Sequence, residues 1–137
     1  IGALEGPQDC IAAFRDELRA RRDLFYSGIR DVAADVFSGQ PPAGAFYAFL
    51  RINLTERYAE GSLSWGMVEY LIKNGRIGCV PGVDFGAAGE GYIRFCFARN
   101  RNELAGALSS MKQLFGTALV DSRASTTDAR LLSADTH

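Results

Sequence analysis

Apolar residues recur along the chain with two different periods, and the longer of these predicts three helices. Between residues 7 and 37 they return every three to four positions, which is typical of one long amphipathic helix. Pro7 suits the first turn of such a helix. The same spacing appears between about residues 62 and 74, where Gly75 is a natural C′ residue, and again between 100 and about 119. The chain therefore contains three predicted helices.

Three shorter segments between these helices are predicted strands. Residues 45–52, 76–80 and 92–98 are short and rich in aromatic or β-branched side chains. Because side chains alternate across a strand, the last segment has an apolar face and a mixed face. The apolar face is Ile93, Phe95 and Phe97, and the mixed face is Tyr92, Arg94 and Cys96.

The order of the elements is α, β, α, β, β, α, and this order predicts an α+β fold. We expect a two-layer α/β sandwich in which a small, mostly antiparallel, three-stranded sheet is covered by the amphipathic helices. One domain is predicted over residues 1–119, including the long first helix. Residues 120–137 are polar and small, and we expect a mostly loose polar tail there.

Composition and charge exclude several classes of protein. The chain has 137 residues, 47% of them hydrophobic and 23% charged, which is ordinary for one globular domain. A net charge of -1 argues against a nucleic-acid partner, and the absence of a run of 18 apolar residues argues against a membrane-spanning helix. The start of the chain resembles no secretory signal and lacks Met, which suggests a fragment or a processed chain.

The supply of catalytic side chains is narrow. The cysteines, Cys10, Cys79 and Cys96, are widely spaced, so we expect buried thiols, no metal site and a reducing cytoplasmic setting. The one histidine, His137, is the last residue, so a triad with a histidine base is excluded. The two lysines, Lys73 and Lys112, both fall within predicted helices.

Arg94 and a glycine-rich loop are the two features with candidate chemistry. Arg94 lies in the middle of a strand between aromatic residues, where a charge needs a partner. It can hold a carboxylate through two parallel hydrogen bonds, or it can be a solvated arginine or form an ion pair with Glu69 or Glu90. Residues 81–91 can cradle a phosphate or form a turn between strands, and the turn is favoured because no P-loop motif is present.

Three motifs in this order resemble a known family. They are PAGAFY at 42–47, GCVPGVDFG at 78–86 and GYIRFCFA at 91–98, and the opening ALEGPQD at 3–9 is also similar. They resemble the C-terminal part of class I/II aminotransferases, the aspartate-aminotransferase-like enzymes of the fold-type I pyridoxal phosphate group. The resemblance covers about residues 3–118.

The resemblance implies a role for this chain and also its incompleteness. It implies the small C-terminal domain of an enzyme that transfers an amino group between an amino acid and a 2-oxo acid. In that family the arginine of the GYIRF strand binds the substrate α-carboxylate, which assigns Arg94, and Phe46 lines the substrate pocket. The lysine that bonds to pyridoxal 5'-phosphate lies upstream in the large cofactor domain, which is therefore an expected partner, and the complete enzyme is expected to form a homodimer.

Two other classes of function stay open at the level of sequence. The chain can be a non-catalytic module that binds a carboxylate metabolite or another protein. An RNA-binding aromatic sheet is the weaker alternative, because Phe95 and Phe97 face away from Tyr92 and the chain is slightly acidic. Neither lysine lies in an obviously desolvated place, so we expect no catalytic residue and no cofactor-binding residue in this chain and no activity from it alone.

Overall fold

An antiparallel sheet of four strands lies at the centre of the fold. The computed structural model describes residues 2–54 and 61–131, with side chains, apart from that of Ala3, as far as Gly116. The strands are β1 (Phe37–Ser38), β2 (Tyr47–Ile52), β3 (Val80–Pro81) and β4 (Tyr92–Cys96). Each pairs antiparallel with its neighbour in the order β1-β2-β4-β3, so that β2 and β4 are central.

Helices cover one face of this sheet, so the predicted α+β sandwich is confirmed. The helices are α1 (Gly2–Glu5), α2 (Asp9–Ala33), α3 (Leu63–Gly75) and α4 (Arg101–Leu131). Two short 3₁₀ turns, Gly82–Phe85 and Ala87–Gly89, lie in the loop between β3 and β4. Phe25 of α2 contacts the ring of Phe95 at 5.6 Å between centroids, and this contact joins the helical layer to the sheet.

The covered face of the sheet carries the core. Six side chains of β2, β4 and the residue after β4 point into it and are almost completely buried: Ala48, Leu50, Ile52, Ile93, Phe95 and Phe97. They alternate with exposed or half-buried residues, as the sequence predicts for a sheet with one face packed on helices. Burial of a large apolar side chain of this kind stabilises the fold by roughly 1.5–3 kcal/mol.

The first helix differs from its predicted bounds of 7–37 at both ends. The 2–5 turn is separate from α2, which begins at Asp9, beyond Pro7. At the other end α2 stops at Ala33, and Phe37 and Ser38 pair with Ile52 and Arg51 as the edge strand. The sequence does not predict this fourth strand, because Phe37 falls within the predicted helix and Ser38 begins the Gly- and Pro-rich loop that follows it.

The short strand predicted at 76–80 is also displaced. Arg76 adopts a left-handed conformation, with φ of 54°, and its N–H donates to the Ile72 carbonyl at 3.2 Å. This residue, rather than Gly75, ends α3 in the left-handed conformation that the sequence assigns to a glycine. Strand pairing therefore begins only at Val80 and continues to Pro81.

The last helix is longer than predicted. Its backbone is helical to Leu131, where a loose tail is predicted from residue 120. Residues 121–131 contain neither Gly nor Pro, so the sequence offers no stop signal there. Residues 132–137 lie outside the described residues, and the division of the chain at residue 119 stays a prediction.

Candidate functional site

The face of the sheet opposite the helices is lined by aromatic and basic side chains. We define this open face by its six members, which alternate with the core residues along β2 and β4: Tyr47, Phe49, Arg51, Tyr92, Arg94 and Cys96. The register pairs Phe49 with Arg94 and Arg51 with Tyr92. The rings of Phe49 and Tyr92 stack at 5.2 Å with an interplanar angle of 9°. Arg94 therefore lies on a rigid central strand among aromatic neighbours.

Two aromatic rings hold the Arg94 guanidinium. Its central carbon lies 4.2 Å from the centroid of the Tyr47 ring and 4.4 Å from that of Phe85. Both distances are within the range of an attractive cation–π interaction, which is worth roughly 0.5–2 kcal/mol each depending on exposure. Such contacts fix the position of the charge without using its N–H donors. The donors therefore remain able to form a bidentate pair with a carboxylate.

Neither acid considered as a partner for Arg94 pairs with it. Glu69 instead accepts from the Lys73 ammonium at 2.7 Å, and Glu90 accepts from Ser62 and Ser64. No carboxylate forms an ion pair with Arg94 among residues 2–54 and 61–116. The two internal ion pairs that the sequence allows are thus absent from the described part of the chain.

The glycine-rich loop, residues 81–91, is a turn between neighbouring antiparallel strands rather than an anion cradle. Its amide groups are used within the loop: Gly86 donates to Val83, Gly89 to Gly86 and Glu90 to Ala87. The loop also folds back on itself, because a Cβ placed on Gly89 would lie 2.0 Å from the Gly82 carbonyl oxygen. The predicted turn is confirmed, and its tight closure explains the need for glycine at 82 and 89.

The carboxylate of Glu90 fastens this loop to the start of α3. It accepts from the Ser62 hydroxyl at 2.7 Å and from the Ser64 N–H at 3.2 Å. Burial alone would raise the pKa of Glu90, but the hydrogen bonds from Ser62 and from the N–H groups of Leu63, Ser64 and Gly91 outweigh it and lower the pKa. The folded protein therefore favours the charged form of Glu90.

Ser64 is the second fastening point of the loop and is completely buried. Its hydroxyl donates to the Gly89 carbonyl at 3.3 Å and accepts from the Gly91 N–H at 2.9 Å. The Gly91 carbonyl in turn accepts from Ile52 of β2 at 2.8 Å. The loop is thus tied to both a helix and the sheet.

Phe46 is connected to Arg94 through the ring of Tyr47. Its ring contacts that of Tyr47, with 4.5 Å between centroids, and Tyr47 in turn covers the guanidinium. Phe46 also lines a groove of about 330 Å³ with Ile11 and Phe14 of α2. Arg94 lies in the middle of β4, whereas Phe46 precedes β2 and lines a groove with α2, and the roles of both as substrate contacts stay predictions.

The two lysines both lie on exposed surfaces of helices, one on α3 and one on α4. Lys73 pairs with Glu69 on the solvent side of α3, and its side chain is 71% exposed. Lys112 is exposed on α4. A lysine that forms an imine must be kept neutral by a desolvated or cationic surrounding, and neither lysine has one. The expectation that this chain contributes no residue to the cofactor site stays a prediction.

The cysteines depart from their prediction. Cys10 and Cys96 are exposed, and only Cys79 is partly buried, with its pKa raised to about 12 by burial. The prediction of buried thiols is wrong for the two exposed residues because Cys96 lies on the open face and Cys10 on a helical segment that extends beyond the sheet. No cluster of three metal-ligating side chains occurs within the described residues. No described helix is long and apolar enough to cross a membrane.

The two rings that contact Arg94, those of Tyr47 and Phe85, are absent from the predicted site, and Glu90, considered there as an ion-pair partner of Arg94, instead fastens the neighbouring loop. Tyr47 has a signal in the sequence, because it alternates onto the same face as Phe49 and Arg51. Phe85 has none, since only the folding of the loop brings it to the site.

The fold and the site define a class: an α+β domain whose open sheet face carries an arginine that pairs with no acid among the described residues. Known proteins give this class a family. The chain is 36% identical over 115 residues to a probable aspartate aminotransferase of Methanocaldococcus jannaschii, covering 84% of this chain and 28% of that protein. It is 29% identical to a glutamate-pyruvate aminotransferase of Escherichia coli, covering 84% and 26%. No family model matches the chain.

Solved structures of aminotransferases have a fold similar to that of this chain. The aromatic aminotransferase from Pyrococcus horikoshii superposes with a TM-score of 0.72 at 30% identity, covering 85% of this chain and 30% of that one. The alanine aminotransferase from Pyrococcus furiosus gives a TM-score of 0.75 at 25% identity, covering 85% and 28%. The chain belongs to the fold-type I aminotransferases and corresponds to their C-terminal region. It spans less than a third of the length of the relatives it matches.

Proposed function

We propose that this chain is the C-terminal region of a pyridoxal-phosphate-dependent aminotransferase and supplies the arginine that binds the substrate α-carboxylate. The observation that carries the proposal is the surroundings of the Arg94 side chain. Its guanidinium is half-buried on a central strand and held by the rings of Tyr47 and Phe85, and no described acid pairs with it. A guanidinium in this state favours a planar anion that can accept two hydrogen bonds.

The proposed reaction moves an amino group between an amino acid and a 2-oxo acid, both of which carry such a carboxylate. Arg94 would hold the carboxylate and so orient the bonds at the neighbouring carbon for reaction. Pyridoxal phosphate supplies the electron sink for this chemistry in aminotransferases. Because Lys73 and Lys112 do not suit it, we place the cofactor lysine in another region of the complete enzyme. Phe46, behind Tyr47, would form part of the substrate pocket wall.

Exposed apolar surface supports a partner region for this chain. Ile11 and Phe14 on the first half of α2 are 59% and 67% exposed, although they continue the apolar stripe of that helix. Phe49 and Phe85 are similarly exposed at the open face. Exposed apolar side chains in these two places are typical of surfaces that contact another part of a protein. The large cofactor domain is the partner we propose, and dimerisation of the complete enzyme rests on the family resemblance.

Replacement of Arg94 by Lys in the complete enzyme tests the proposed role. Lysine keeps the positive charge but loses the bidentate geometry. We expect kcat/KM for amino acids to fall by roughly two to four decades. Arg51→Lys on the same face and Arg76→Lys at the end of α3 are matched controls, and each should change kcat/KM far less. Equal losses in all three variants would contradict the role of Arg94.

The alternative is a non-catalytic carboxylate-binding module, favoured by the absence of a fitting lysine from the described residues. Borohydride reduction of the chain mixed with pyridoxal phosphate examines the lysines directly. We expect slow and unspecific labelling, whereas stoichiometric labelling of Lys73 or Lys112 alone would overturn our assignment. Amino transfer by the complete protein favours the enzyme, and carboxylate binding without transfer favours the module.

A further inference from the structure

We propose that the glycine-rich loop is a positioning element for Arg94, with Phe85 as the residue that orients the guanidinium and with Glu90 and Ser64 as the anchors that hold the loop in place. This inference rests on the proposed function of Arg94. It adds a set of residues that act through Arg94 without contacting the substrate.

Phe85 lies where its ring can orient the guanidinium of Arg94. Its side chain is 53% exposed, so its burial contributes little to the core, yet its ring centroid lies 4.4 Å from the central carbon of the guanidinium. It approaches Arg94 from the loop, while Tyr47 approaches from β2. An arginine side chain is flexible, so a second ring at a fixed place limits the positions that its charge can adopt.

A close backbone contact and several hydrogen bonds hold the glycine-rich loop in place. A ring on a mobile loop could not orient a neighbouring side chain, but this loop is closed by the contact between Gly82 and Gly89. Glu90 accepts two hydrogen bonds from the first residues of α3, and the buried hydroxyl of Ser64 bonds to Gly89 and Gly91. The loop that carries Phe85 is thus fastened at its end, residues 89–91, to Ser62 and Ser64.

Kinetics of the complete enzyme with two substrates test the role of Phe85. One substrate is an amino acid and the other is the amine with the same side chain but no carboxylate. We expect Phe85→Leu to lower kcat/KM for the amino acid by about 5- to 30-fold and to change that for the amine by less than about twofold. Phe85→Tyr keeps the ring and should restore at least most of the loss.

A double-substitution cycle shows whether Phe85 acts through Arg94. In the Arg94→Ala background, Phe85→Leu should cost less than about twofold for the amino acid, because the group it positions is gone. The matched control is Phe49→Leu, since Phe49 lies on the same face but its ring contacts are with Phe85 and Tyr92. We expect Phe49→Leu to have a smaller effect than Phe85→Leu.

The anchors have their own matched pair of variants. Glu90→Ala should lower amino-acid kcat/KM severalfold, by about 3- to 10-fold for the loss of hydrogen bonds to a charged group. Glu69→Ala, which removes an exposed acid paired with Lys73 on α3, should leave the amino-acid kcat/KM within about twofold.

Failure of this proposal and failure of the proposed function are distinguishable. If Arg94→Ala does not discriminate between the two substrates, the proposed function fails; if it does, but Phe85→Leu costs the same in both backgrounds, only the positioning role is overturned.

Discussion

The two faces of the sheet are built from the same strands but differ in almost every physical property. On the covered face Ala48, Leu50 and Ile93 are at most 1% exposed and belong to the hydrophobic core. On the open face Tyr47 and Phe49 are about two-fifths exposed, at 36% and 42%, and share the surface with charged side chains. Adjacent residues of one strand therefore serve different purposes.

This difference separates stability from binding. A core side chain stabilises the fold by leaving water, so its loss lowers the free energy of unfolding. An open-face side chain keeps much of its exposure and contributes less to folding, but it remains available to a ligand. A central strand fixes the direction of such a side chain better than a loop does. We therefore expect substitutions on the two faces to act on different measurements.

The largest effect on stability is expected for Leu50→Ala on the covered face. Leu50 is 1% exposed, and its removal leaves a cavity, so we expect the free energy of unfolding to fall by about 2–5 kcal/mol. The neighbouring open-face variant, Phe49→Ala, should lower it by less than about 1.5 kcal/mol through the loss of ring contacts. Urea unfolding followed by circular dichroism gives both values. Equal losses would remove the distinction between the faces.

A smaller effect is expected where the glycine-rich loop borders the open face. Gly89→Ala places a Cβ 2.0 Å from the backbone oxygen of Gly82, so the loop must open, and we expect a loss of about 1–3 kcal/mol. Gly106→Ala is the matched control, because its Cβ meets no atom within 4 Å on the exposed side of α4. That change should raise the free energy of unfolding by about 0.5–1 kcal/mol. A neutral Gly89→Ala would show that the loop is not closed.

The smallest expected effect is the pH dependence of the contribution that Glu90 makes to the free energy of unfolding. Because the pKa of Glu90 is lowered in the folded protein, its carboxylate stabilises the fold above the ordinary value of 4.5, and this contribution is lost as pH falls through the lowered folded pKa. At pH 7 we expect Glu90→Gln to lower the free energy of unfolding by less than about 1 kcal/mol. The difference from the unmodified chain should vanish at pH 2. A difference that grows with acidification would contradict the sign of the shift.

The alternation of strand residues was the most informative signal in the sequence. It placed Phe95 and Phe97 in the core and Arg94 on the opposite face, and the structure confirms both assignments. The helical spacing correctly predicts the presence of the helices but not the residues at which they begin and end. Val36 and Phe37 continue the apolar stripe of α2 and are nevertheless buried outside it, because strand pairing with β2 competes with the helix at this point.

The remaining features depend on contacts between distant residues, which a single sequence does not reveal. Glu90 reaches Ser62 across 28 positions, and Phe85 reaches Arg94 only because the loop folds back. The exposure of Ile11 and Phe14 has another cause. Their apolar spacing predicts a buried helix face, whereas Ile11 is 59% and Phe14 67% exposed, because the described residues provide nothing to cover them.

The most direct measurement of the central claim is the ratio of kcat/KM for an amino acid to kcat/KM for the corresponding amine without a carboxylate, in the complete enzyme and in its Arg94→Ala variant. If Arg94 on the open face is the carboxylate anchor, the substitution should lower this ratio by at least roughly two decades, because only the amino acid uses the contact. An unchanged ratio, with both substrates slowed equally, would contradict the claim and make Arg94 a structural residue.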